Sequence, residues 1–188
     1  MQYSRTAGLV RAALAAALIA ISALVTVPLG PVPVTLQILA VALTVLLLRP
    51  TEALAALLVY TGIGAIGLPV FSGGSGGVGV VLGPTGGFLL GFIVGAPLGA
   101  FTREVLRSNR RGAVLAADIA GVVVMIAVSY GFGLLRFSVV TGMTVAEALA
   151  VAIAPFVVPD AVKAAVAIAA ARSVRRAGVG DADRAGVR

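Results

Sequence analysis

Apolar residues in this chain come in six long runs, separated by short stretches that carry nearly all of its charge. A helix that crosses a bilayer needs about 20 mostly apolar residues, because the hydrocarbon core is about 30 Å thick and a helix rises about 1.5 Å per residue. On that criterion the pattern predicts helices over residues 8–27, 35–48, 52–68, 87–101, 113–135 and 147–171. The second and fourth runs are short. A short span either thins the bilayer or ends inside a protein-lined cavity, and the polar features described below favour the cavity. No internal repeat relates two halves. The expected architecture is all-α: one domain of six transmembrane helices over residues 1–172, then a polar tail over 173–188 expected to be disordered.

Composition agrees. The chain is 60% apolar and 11% charged, with a mean hydropathy of +1.14, against about 25% charged residues in soluble domains. It lacks the polar residues to cover a water-soluble surface. The net charge of +7 does not imply nucleic acid, because thirteen of the fourteen basic residues are arginines lying almost wholly between or outside the apolar runs. With the N-terminus inside, twelve arginines fall in cytoplasmic segments and only Arg136 in an outer loop. Positive residues are retained on the cytoplasmic side, so both termini are expected there, in a multi-pass protein of the cell membrane. The alternative, a signal peptide cleaved after Ile21-Ser22-Ala23, would leave five spans and reverse that orientation. With no cysteine and no histidine, Cys/His zinc sites, haem ligation through histidine and a Ser-His-Asp triad are excluded.

Candidate chemistry starts with Lys163, the one lysine, inside the sixth run with Asp160 three positions before it. A charge at the centre of a membrane helix costs about 2.5–3.5 kcal/mol, so ionisable groups at that depth usually serve a function. A spacing of three puts both on one helical face, where they neutralise each other or serve one ligand; Pro159 loosens the helix beside them. The second feature is the uncharged loop 71–86, with seven glycines among sixteen residues and Phe71, Val78, Val80, Val81 and Leu82 between them. That apolar content suits a lid over a pocket better than a linker. Its Gly74-Ser75-Gly76-Gly77-Val78-Gly79 matches the dinucleotide pattern, but the next acid, Glu104, lies beyond a membrane span, so the match is accidental. Third, Pro28, Pro31 and Pro33 stiffen the approach to Gln37, whose amide either meets a ligand or bonds the backbone. Fourth, Ala12, Ala16 and Ala20 permit close helix approach, within the chain or to another subunit. No phosphate-binding loop is present, so ATP-driven transport would need a separate ATPase.

Three segments carry a family resemblance: 30–37 (GPVPVTLQ), 65–71 (AIGLPVF) and 83–88 (GPTGGF). Together with Asp160 and Lys163, they resemble the BioY family, the biotin-specific substrate-binding (S) components of energy-coupling-factor importers. The resemblance spans nearly the whole chain except the tail. It implies a six-helix fold with an outward-facing biotin pocket under the loop between the third and fourth helices. It also implies docking to a transmembrane coupling protein and two ATPase subunits, with Ala12, Ala16 and Ala20 at the contact. The implied ligand set is Gln37, Phe71, Gly74, Ser75, Gly76, Gly83, Pro84, Thr85, Gly86, Asp160 and Lys163. Asp160 would accept from the ureido ring, Lys163 would stabilise a polar or anionic group and Phe71 would pack on the rings. No cofactor is implied. Asn109 and the arginines lie outside the apparent cavity, which leaves the carboxylate contact open. Two rivals remain: a self-sufficient secondary transporter, and an intramembrane enzyme pairing Ser129 with Lys163.

Overall fold

The structure, a computed structural model, describes residues 2–28, 32–108 and 111–177. Its helices are α1 (Gln2–Leu24), α2 (Gln37–Leu47), α3 (Pro50–Ala65), α4 (Val78–Leu82), α5 (Gly86–Leu106), α6 (Arg111–Thr141), α7 (Val145–Ala152) and α8 (Ala154–Arg176). A two-residue antiparallel ribbon pairs β1 (Thr26–Val27) with β2 (Val34–Thr35) and brackets the proline-rich stretch. Gly30, Pro31, Asn109, Arg110 and the tail from 178 lie outside the described residues.

Among the described residues, four helices, α1, α5, α6 and α8, are long and apolar enough to cross a bilayer. Their outer faces expose large apolar side chains, among them Leu14, Ile21, Val123, Val139 and Val158, a surface that water does not favour. α1 belongs to the bundle, since Ile19 and Ala23 are fully buried and it packs against α2 and α3. The first span expected to be short, α2, is short: eleven residues, of which eight are buried. Protein surrounds it, so its ends need not reach the membrane surfaces.

Other boundaries depart from the hydropathy pattern. The fourth span is not short, because α5 runs five residues past Phe101, to Leu106, and carries Arg103 into the interior. The last run is not one helix. It breaks at Ile153, where Pro155 has no N–H to continue the α7 ladder and instead occupies the first turn of α8. Pro159 sits within α8 without ending it, and α8 continues through residues 173–176 of the expected tail. Arg136 lies on α6 rather than in an outer loop.

The tightest helix contact is α5 on α6, and glycine makes it. A Cβ added at Gly91 would lie 2.5 Å from Ser129 Cα, and one at Gly99 would lie 2.3 Å from the Gly121 carbonyl oxygen. Gly87 and Gly95 meet the α6 backbone in the same way, so one face of α5 is a four-step glycine ladder in backbone contact.

At the arginine-rich end, Asp118 of α6 is 1% exposed and accepts from Arg103 Nε at 2.8 Å and from Arg175 of α8. Arg175 also donates to the Leu46 carbonyl at the end of α2. Arg103, read from the sequence as a loop charge, and Arg175, read as a tail charge, are therefore internal braces that join α2, α5, α6 and α8.

Gly99→Leu should force α5 and α6 apart and lower Tm in detergent, since overpacking costs about 1–3 kcal/mol or more; Gly62→Ala, with open space around it, should leave Tm unchanged or slightly raised. Asp118→Ala strands the buried Arg103 and the half-buried Arg175, at a cost of about 3–5 kcal/mol. Thermal unfolding of the purified variants tests both, and a wild-type Tm for Asp118→Ala would show that the brace is unimportant.

Candidate functional site

A cavity of about 420 Å³ lies beneath the connection between α3 and α5, within the range of small-molecule pockets. Its deep wall comes from α8. Lys163 Nζ donates to Asp160 Oδ1 at 2.8 Å, and Tyr130 Oη of α6 donates to Asp160 Oδ2 at 2.6 Å. Asp160 is 4% and Lys163 9% exposed, yet both line the cavity. The pair is neutral overall, which limits the cost of burying it. Each partner keeps unused capacity: two further N–H groups on the ammonium and further lone pairs on the carboxylate. The wall thus offers a donor and an acceptor side by side.

Gln37, the first residue of α2, stands on the cavity wall with its Nε2 donating to Tyr60 Oη at 3.1 Å. Of the two readings open for Gln37, its bonding is to a side chain rather than to freed backbone, and its position is at the pocket. Tyr60 meets the ring of Phe71 edge-on, centroids 5.5 Å apart. Phe71 fits only because Gly64 lacks a side chain: a Cβ there would lie 2.2 Å from the ring. Phe88, Phe92 and Phe156 complete an aromatic lining.

The glycine-rich loop is folded against the bundle. Thr26 Oγ1, on the ribbon, accepts from Gly73 N at 3.0 Å, and Gly77 N donates to the Gly64 carbonyl at 2.7 Å. Arg136 of α6 donates to the Leu82 carbonyl at the end of α4. The loop therefore caps the cavity, contributing Phe71, Ser75, Gly83, Pro84 and Thr85 of the expected set, together with Ser72, Gly79 and Val80.

Gly74, Gly76 and Gly86 are not on the cavity wall. Gly74 turns the chain at φ +74°, while a Cβ at Gly76 or Gly86 would strike the Leu68 or Val81 carbonyl. They shape the lid rather than face its contents. The helix-one alanines also point inward: Ala12 is 4% and Ala16 2% exposed, and Ala20 is half-buried. Internal packing accounts for their position in this chain. Ser129 is fully buried, with its Oγ 3.4 Å from the Phe88 carbonyl it donates to, and it does not line the cavity. The serine–lysine enzyme has no geometric basis.

Tyr130 is the main omission from the sequence reading. A tyrosine in the middle of an apolar span needs a partner for its hydroxyl, and that was the available signal. The aromatic lining gave none, because Phe88, Phe92 and Phe156 look like any lipid-facing or core phenylalanine.

An all-α, multi-pass membrane bundle with a covered chamber defines the class: a membrane protein of the S-component fold. The chain superimposes on the crystal structure of the S-component for biotin from an ECF-type ABC transporter with a TM-score of 0.82, covering 94% of both chains at 24% identity. The chain belongs to the BioY family, whose profile matches residues 1–179. It is 37% identical to the biotin transporter BioY2 of Lactococcus lactis, over 87% of each chain. It is 38% identical to the biotin transporter BioY of Thermotoga maritima, over 85% of this chain and 90% of that one.

Tyr130→Phe should lower Tm in detergent without ligand, because a buried carboxylate oxygen loses a donor worth about 1–3 kcal/mol. An unchanged Tm would show that this hydrogen bond is not maintained.

Proposed function

We propose that this chain captures biotin in the membrane, as the substrate-specific component of an energy-coupling-factor importer in the plasma membrane. Membership of the BioY family supports the ligand, and one observation carries the chemistry: the Asp160–Lys163 pair, braced by Tyr130, at the wall of an aromatic chamber. A cyclic urea presents N–H groups beside a carbonyl. The pair presents an acceptor beside a donor, and it does so without net charge, so it suits a neutral ring better than a lone ion would. Asp160 accepts a ureido N–H and Lys163 donates to the ureido carbonyl or to another polar group of the ligand. Phe71 and the other aromatic walls pack against the apolar thioether ring. The lid residues Ser75, Gly83, Pro84 and Thr85, with Gln37, border the rest of the ligand.

Capture accounts for the site; energy must come from elsewhere. The sequence has no phosphate-binding loop, so the proposed assembly adds a transmembrane coupling protein and two ATPase subunits. Six passages through the bilayer follow if α2 and α3 each count as one and α7 with α8 make the last. The positive-inside pattern then puts both termini in the cytoplasm. For docking, the exposed side of α1, with Ala13, Ala17 and Leu18, is the available surface, since Ala12 and Ala16 are covered by the chain itself.

Asp160→Asn should weaken biotin binding at least about tenfold, equivalent to about 1.4 kcal/mol, as measured by calorimetry on protein freed of co-purified ligand. Unchanged affinity would remove Asp160 from the site. Proteoliposomes holding this chain alone should bind biotin without concentrating it; uptake driven by an ion gradient would favour the secondary transporter instead.

A further inference from the structure

A second cavity, of about 580 Å³, lies outside the chamber as an open trough between α6 and α8. Its origin is visible in how the two helices are joined. They touch at few points, and two polar ties pin them: Tyr130 to Asp160 at one end and Asp118 to Arg175 at the other. Tyr130 and Asp118 are twelve residues apart on α6, about 18 Å along a helix. Between the ties, α8 presents mostly alanines, including Ala161 and Ala165, opposite Ile119, Val123 and Ile126 of α6. Side chains that small leave the space between the helices unfilled. Ile119 and Val123 are exposed to the surroundings.

Three features of the trough restrict the chemistry of an occupant. The walls are apolar except at the ends. The length, about 18 Å, matches one leaflet of a hydrocarbon core about 30 Å thick. Arg172 lines the arginine-rich end and has no hydrogen-bond or ion-pair partner among the described residues. A cation at the mouth of an apolar slot one leaflet long complements a phospholipid: phosphate at the rim, chain in the slot.

We propose that the α6–α8 trough holds one acyl chain of a phospholipid whose phosphate sits on Arg172. The chain end meets the Tyr130–Asp160 hydrogen bond, which both cavities share as a wall. The lipid therefore backs the partition behind the ligand-binding carboxylate and keeps water from reaching Asp160 from the membrane side. This step rests on the reading of the chain as membrane-embedded, and its role at the partition rests on the proposed chamber.

The test is electron paramagnetic resonance of the full chain in phosphatidylcholine vesicles carrying phosphatidylglycerol or phosphatidylcholine spin-labelled near the chain end. The native chain should show a motionally restricted component that Ala165→Phe, which fills the trough, removes in part. Phosphatidylglycerol should be preferred by about fivefold, the contribution of one cation near the surface, and Arg172→Gln should abolish that preference while retaining the restricted chain. A restricted component indifferent to both substitutions overturns the proposal. So does a trough that excludes labelled lipid and whose filling by Ala165→Phe instead abolishes co-purification of a partner's membrane helix. Biotin binding measured on the same vesicles keeps the two readings apart: lost biotin binding with the lipid signal intact defeats the vitamin-capture reading alone.

Discussion

A carboxylate and an ammonium held 2.8 Å apart within the apolar bundle set the terms for everything around them. Neither is tolerable alone at that depth, and together they form a neutral, strongly directional unit. Keeping it requires a dry surround, a third partner for the second carboxylate oxygen and a space into which the remaining donors and acceptors point. The aromatic walls, Tyr130 and the capped chamber meet those three needs in turn. The lid follows from the same constraint. Water screens an exposed pair, and the glycine-rich connection covers the chamber in part by packing its own backbone against the bundle, with Gly64 leaving room for Phe71.

Precise placement of that unit depends on rigid helices on either side. α6 is fixed to α5 by backbone contact along the glycine ladder, and α8 is fixed to α6 by the two polar ties. The Asp118 brace also reaches α2, whose other end carries Gln37 into the chamber. One connected frame thus runs from the arginine-rich end to the chamber wall. Wherever two helices are held by polar ties rather than by large apolar side chains, space is left over. That is the source of the trough behind Asp160.

Hydropathy and charge were enough to determine that this chain belongs in lipid, where most of its helices begin, and that Asp160 and Lys163 share one helix face. Those properties are local: an apolar run is costly in water wherever it folds, and a lysine three residues from an aspartate in a helix shares its face in any packing. The lid was read from the apolar, glycine-rich content of loop 71–86, and the family resemblance added the candidate residues along it. What only the tertiary structure decided was partnership. Whether Arg103 and Arg175 were loop and tail charges or braces depended on Asp118, fifteen and fifty-seven residues away. Whether Ala12 and Ala16 faced out or in depended on where α2 and α3 lay. Tyr130 became part of the site because α6 meets α8 at Asp160, thirty residues along the chain, and Gly74, Gly76 and Gly86 left it because their backbones do the folding. Periodicity records which residues avoid water; it holds no information on which distant side chain supplies the missing hydrogen bond.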